Sequence, residues 1–250
     1  MRGLLFALVS AVAAADAVAQ VPDSGRWQEL RFPAEQVGQR SEDRYIEQTV
    51  SLAAAGLLDR DRPLLARTRR IAAGLVQAAI ALKPEAADWP WEVHVTDDAE
   101  VEAESQAGGK LLIGSVFVAR LALDDGELAT LLAHEIAHAI AEHEREMLSE
   151  ALLDARRPEL PLDVIEARMV SDLPLQLRLA RLSSIQEREA DQLGMLIAHN
   201  AGWPSAGMVR FYRKLAAASH GAAIVASHPA PAYRLSLAKG MARLLGNGPD

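Results

Sequence analysis

Two histidines four residues apart, with a glutamate between them, occur at His134-Glu135-Ile136-Ala137-His138. On a helix that spacing is close to one turn, so both imidazoles lie on one face and can share a metal ion. Glu135 projects about 100° away by the helical pitch, near enough to hold a water at that metal without ligating it. The chemistry this trio supports is metal-assisted hydrolysis, with Glu135 as the general base. Leu128, Ala129, Leu131, Leu132, Ala133, Ile136, Ala137 and Ile140 make the segment apolar nearly all round. It therefore belongs in the interior, where polar side chains without partners are costly.

A catalytic zinc centre takes three protein ligands and keeps a position open for water. His143 is five residues beyond His138, a rotation of roughly 140° on a continuing helix, so it is not expected to ligate. The metzincin pattern is also broken, because Ala141 and Glu144 stand where a glycine and a third histidine are required. Downstream, Glu187 and Asp191 are one turn apart, flanked by Ala190 and Gly194, small residues that allow a close helix approach. Glu187 can ligate there while Asp191 orients a ligand histidine. Taken alone, the same segment also reads as a solvated acidic stripe paired with Arg181 and Arg188.

The elements that must position these groups follow from periodicity. Residues 20–40 contain Pro22, Gly25, Pro33 and Gly38 and are expected to form an extended, peripheral N-terminal segment. Residues 41–58 and 62–82 carry helical spacing around the Asp59-Arg60-Asp61 cluster and read as a helical hairpin. Residues 91–96 and 111–118 read as strands, with room for a short strand near Val101. Asp124 and Glu127 form a capping-box pattern that opens a helix expected to run to about Leu148. Residues 149–172, with Pro158 and Pro161, are a loose connection that could gate the cleft. Helices are expected over about 175–199, 205–218 and 231–245.

Composition bounds the rest. The chain has 250 residues, half apolar and a quarter charged, as in an ordinary globular protein. Met1-Arg2, an apolar run to Ala15 and the small-x-small sequence Ala17-Val18-Ala19 read as a secretory signal, with cleavage after Ala19. Residues 1–19 are thus a signal peptide, 20–40 the extended segment, and 41–250 a single domain. Cleavage removes Arg2 and Asp16 together, so the formal charge stays at −8, which argues against nucleic acid as a partner. No cysteine is present for a disulfide or a lipid anchor, and no later run reaches the roughly 20 apolar residues of a membrane span. An exported protein without an integral membrane anchor, placed in the periplasm, is the expectation.

Four elements in order, Gly108-Gly109 after a strand-like segment, His134 to His138, Glu187-Arg188-Glu189-Ala190-Asp191, and His228-Pro229 with Arg234, resemble a known family. It comprises the zinc peptidases that include the CAAX prenyl protease, the heat-shock membrane protease HtpX and the periplasmic protease-chaperone BepA. The resemblance covers roughly residues 85–240, and the chain looks like the catalytic unit without membrane spans or helical repeats. Its Glu102-Ala103 and Ala107 depart from the family's usual Asn-Ala and proline ahead of the glycine pair. The resemblance implies an α+β, mostly helical, zincin-like domain with a small sheet beside the His-Glu-x-x-His helix. It implies one zinc ion on His134, His138 and Glu187, with Asp191 behind the ligands.

The implied reaction is hydrolysis of peptide bonds, with polypeptide substrates drawn from misfolded or misassembled envelope proteins. For the developing oxyanion, His228, Tyr233 and Arg234 are candidates. His228 also fits an extra ligand on the resting metal or a histidine at a helix start, and Arg234 fits a charge partner within the site. An extended substrate is expected to add as a strand along Leu111–Val118. His94, His199 and His220 are expected to be solvent-facing or structural. Two rival readings are a non-catalytic chaperone or interaction module on the same fold and a metal hydrolase acting on a cell-wall amide.

Overall fold

A computed structural model describes residues 17–218 and 231–246. Most of the signal segment, His220 and His228 therefore lie outside the described residues. Within them the chain is α+β and mostly helical, with two small sheets. No helix among the described residues is long and apolar enough to cross a membrane.

The chain opens with a two-stranded antiparallel hairpin, β1 (Ala17–Gln20) and β2 (Trp27–Leu30). Helix α1 (Ala34–Ala54) follows, then α2 (Arg62–Leu82). The Asp61 carboxylate accepts the Leu64 N–H at the start of α2, and Pro63 occupies the first turn, where its missing N–H costs nothing. Strands β3 (Glu92–Thr96), β4 (Ala103–Gln106) and β5 (Lys110–Gly114) form the second sheet in the order β3-β5-β4. Strand β3 is parallel to β5 and β4 antiparallel to it.

Alternation along β5 divides the interior. Leu112 faces α1, where it meets Tyr45 and Leu52, while Leu111 and Ile113 face the main core with α2 and α4. The expected pairing of α1 with α2 as a helical hairpin is therefore corrected: α1 covers one face of the sheet and α2 packs on the other. Residues 20–40 are also corrected. They are not a peripheral extended segment but the hairpin and the first turns of α1, because Val21, Leu30, Phe32 and Val37 have core surface to bury.

The expected strand over Leu111–Val118 ends at Gly114. Residues from Ser115 turn into a short helix, α3 (Ser115–Arg120), because Phe117 and Val118 reach the core only from that turn. Helix α4 (Asp125–Ile140) starts at the expected capping box: Asp124 accepts the Glu127 N–H, and Glu127 accepts the Asp124 N–H. It does not run on to Leu148. The chain breaks at Glu142, which adopts a left-handed conformation (φ 52°), and restarts as α5 (His143–Ala155). Much of the expected loose connection is helical, in the end of α5 and in α6 (Leu162–Ser171). The long helix α7 (Leu173–Asn200) and α8 (Ser205–Ala218) and α9 (Pro231–Leu244) complete the chain.

Helix α4 is the hub, packed against α2, α7, α8 and the sheet, with all but three of its residues buried. Its closest neighbour is α7, and the contact is made at Gly194. A Cβ there would lie 2.9 Å from the His134 backbone nitrogen and 3.0 Å from the Ala133 carbonyl group. These neighbours are backbone atoms inside a buried helix and have nowhere to retreat. Replacing Gly194 with alanine is accordingly expected to cost about 1–3 kcal/mol, despite alanine's better helix propensity. Urea unfolding of the purified variant measures this; an unchanged midpoint would show that the two helices can separate freely.

Candidate metal centre

The α4–α7 crossing brings the two histidines under the acidic face of α7. His134, His138 and Glu187 each offer one ligand atom, all within 4.8 Å of one another. The Nε2 atoms of the histidines are 3.2 Å apart, and Glu187 oxygens lie 3.5 Å from His134 Nε2 and 3.4 Å from His138 Nε2. Two imidazole nitrogens and a carboxylate oxygen converging in this way suit a zinc-like cation. The electrostatics agree. Burial opposes charge on His134, yet Asp191 and Glu187 outweigh it and hold the ring's pKa up at about 9, so positive charge is favoured at this point.

The other nitrogen of His134 is oriented from behind. Asp191 Oδ1 lies 3.0 Å from His134 Nδ1, and the same carboxylate accepts from the Tyr212 hydroxyl (2.7 Å) and from Arg234 Nη2 (2.6 Å) and Nε (2.9 Å). Arg234 stacks over the Tyr212 ring, 5.1 Å from its centroid, and reaches to 3.4 Å from His134 Nδ1. Helix α9 thus delivers Arg234 to the buried side of His134, facing Asp191. Its neighbour Tyr233 is half exposed, and His228 is outside the described residues.

Glu135 sits beside the histidines, accepting a 2.9 Å hydrogen bond from the Ser105 hydroxyl of β4. It lines a cleft of about 360 Å³ together with His138, Glu187, Gln186 and β4 residues Ala103 to Gln106. Strand β4 forms the edge of the sheet beside this cleft and β3 the opposite edge, whereas β5 is paired on both sides. An added strand along Leu111–Val118 is therefore excluded, since the β5 backbone is already bonded to β3 and β4; the edge strand that lines the cleft is β4.

His143 was not recognisable as part of the centre. The rotation argument assumes a continuing helix, but the break at Glu142 swings His143 back, and its Nδ1 lies 2.9 Å from His138 Nδ1. It is outside the convergent group of three and contacts His138 from behind. Burial, only partly opposed by Glu189, pushes its pKa down to about 4, so the ring is neutral. Ser105 was missed for a different reason: nothing in Glu104-Ser105-Gln106 marks a hydroxyl that will face Glu135. His94 is structural, with Nδ1 2.6 Å from Asp59 and Nε2 2.9 Å from Glu92.

Two histidines of one helix and a carboxylate of another, with a glutamate and a sheet edge on the open side, have the make-up expected of a metallopeptidase centre. Comparison with known proteins agrees: residues 65–242 match peptidase family M48, and the chain belongs to that family. Over 129 residues, half of this chain and 37% of the relative, it is 34% identical to the mitochondrial metalloendopeptidase OMA1 of Saccharomyces cerevisiae. Over 173 residues it is 28% identical to a putative beta-barrel assembly-enhancing protease of Vibrio cholerae, covering 62% of this chain and 35% of that one. The chain spans about a third of the length of these curated relatives.

The centre buries carboxylates that stay ionised. Burial raises the pKa of Asp191 and Glu189, but His134 and Arg234 in the first case, and His143 and Arg26 in the second, bring each down to about 2. Unfolded carboxylates titrate near about 4, so the folded state holds these two groups in the charged form and is stabilised by doing so above that pH. The contribution falls away as pH drops from about 4 through about 2. Acid unfolding in chelator, followed by circular dichroism, should show this loss, and Glu189→Gln should flatten it.

Proposed function

We propose that this chain is a zinc-dependent endopeptidase in which His134, His138 and Glu187 hold the metal and Glu135 is the general base. The observation that carries this reading is the convergence of the three ligand atoms beside Glu135 on the wall of an open cleft. When bound there, zinc supplies Lewis acidity, activating water and polarising a peptide carbonyl. Glu135 takes the proton of the attacking water and passes it to the departing amine nitrogen. Ser105 holds the carboxylate toward the cleft through its hydroxyl. Asp191 accepts the proton on His134 Nδ1 and so leaves Nε2 free to ligate. Arg234 and Tyr212 keep Asp191 charged and in place, a role distinct from contact with substrate.

Substrate is bound as an added strand on β4. The register with β5 and the Gly114 N–H to Glu102 carbonyl bond turn the backbones of Glu102, Glu104 and Gln106 toward β5. Those of Ala103 and Ser105 then face the cleft, free to bond an extended chain regardless of its side chains. The next outward N–H, that of Ala107, is taken by Glu144 at 2.8 Å, so the usable edge stops there. Backbone recognition of this kind suits unfolded segments, and misfolded or misassembled envelope proteins are the proposed substrates. Export to the periplasm is part of the same reading, supported by the N-terminal signal pattern. Cleavage after Ala19 would leave only Gln20 of β1.

Metal content and casein cleavage of the purified protein test the centre. One zinc is expected in the wild type, a loss of at least about 10-fold in affinity in Glu187→Ala, and retained zinc without proteolysis in Glu135→Gln. A wild-type protein that binds no zinc in chelator-free buffer would falsify the peptidase reading. The edge is tested by Ala103→Pro, which removes one outward N–H and is tolerated on an edge strand. KM for an extended peptide should rise severalfold with the fold intact, and an unchanged KM would move the substrate off β4.

A further inference from the structure

Behind His138 a chain of buried contacts leads out of the metal centre and into the N-terminal hairpin. His138 turns Nε2 toward Glu187, so in a ligating tautomer its proton resides on Nδ1. That proton points at His143 Nδ1, 2.9 Å away, which must accept it. The His143 proton then resides on Nε2, which is buried, has no well-formed hydrogen bond, and lies 3.4 Å from Glu189 Oε2. Glu189 in turn accepts from Arg26 through Nε (2.7 Å) and Nη2 (2.7 Å), and from the Ser24 hydroxyl (3.1 Å).

The guanidinium of Arg26 also bridges to Glu146 through Nη1 and Nη2. Glu146 is tied to Gln186 (2.8 Å), which donates as well to the His143 carbonyl (3.0 Å). Gln28, two residues along the hairpin, bonds Glu146 and the Ala141 carbonyl (2.9 Å), an acceptor left free where α4 ends. The hairpin therefore seals the helix break that aims His143, and it supplies the only arginine in the described network that contacts Glu189. Arg26 and Gln28 both lie outside residues 65–242, the part of the chain that matches the family.

We propose that Arg26 is a positioning residue for the metal ligand His138, acting through Glu189 and His143, so that the turn at Arg26 and strand β2 are part of the metal centre. The inference rests on the zinc reading above. A planar guanidinium fork that takes two carboxylates edge-on fixes Glu189 in direction as well as in charge. With Glu189 fixed, the His143 ring has one orientation in which Nε2 faces a carboxylate and Nδ1 faces His138. Partners of this kind behind a ligand histidine typically change metal affinity by 10–100-fold.

A double-mutant cycle on the full chain distinguishes this role from a structural staple. Zinc dissociation constants are measured by chelator competition for wild type, Arg26→Gln, His143→Phe and the double variant, each checked for folding by circular dichroism. Arg26→Gln should bind zinc at least about 10-fold more weakly, Arg26→Lys should fall between it and wild type, and the double variant should lose no more than His143→Phe alone. Folded Arg26→Gln with wild-type affinity, or losses that multiply in the double variant, would overturn the proposal. If Arg26→Gln does not fold, Glu189→Gln paired with His143→Phe reads the same coupling. A wild-type chain without zinc would instead sink the peptidase reading.

Discussion

The centre depends on how closely two buried helices approach. Helices α4 and α7 meet at Gly194, whose missing side chain lets the α7 backbone settle against the backbone of Ala133 and His134. From that point the geometry is dictated by pitch. Asp191 falls one turn before the contact, and Glu187 one turn earlier still, which places one carboxylate behind His134 and the other over both histidines. A single added methyl at the crossing would move both carboxylates relative to the imidazoles together. The rest of the packing, α2, α8 and the sheet around α4, holds that crossing in place from the remaining sides.

Close approach also forces charge into the interior, and the fold compensates in two blocks. On one side Asp191 is surrounded by Arg234, Tyr212 and His134; on the other Glu146 and Glu189 share Arg26. A buried charge is tolerable when its partners satisfy its hydrogen bonds, and breaking one member leaves the others uncompensated. The two blocks have different origins along the chain. The first is closed by α9 near the C-terminal end, the second by the hairpin near the N-terminal end. Segments far apart in the chain therefore converge on α7.

The sheet contributes an edge and a hydroxyl. Its central strand β5 is buried on both faces and has no free backbone, which is why the apolar run at Leu111–Ile113 is a core strand and not a docking site. The edge strand beside the cleft is β4, a segment of mixed polar residues whose sequence carries little strand signal. Pairing with β5 and the cover of α1, through Gln48 to Glu104 and Gln106, give it its conformation. The edge that borders the cleft and the hydrophobic pattern thus fall on different strands.

Periodicity and local chemistry were sufficient for much of this protein. His134, Glu135 and His138 could be placed on one buried helix because spacing and apolar neighbours are properties of the segment itself. The capping box at Asp124 and Glu127 was legible for the same reason. Glu187 and Asp191 were legible as a pair on one face, and Gly194 as a site of close approach, but not what they approach. Contacts between distant segments were decided by the tertiary structure. The break at Glu142 depends on partners far away in sequence, Lys83 and the hairpin's Gln28, so a continuous helix to Leu148 was the natural local reading. That break is what brings His143 behind His138, and Arg26 joins Glu189 across 163 positions. Spacing within a segment constrains which side chains share a face, whereas which faces meet depends on the mutual burial of many segments at once.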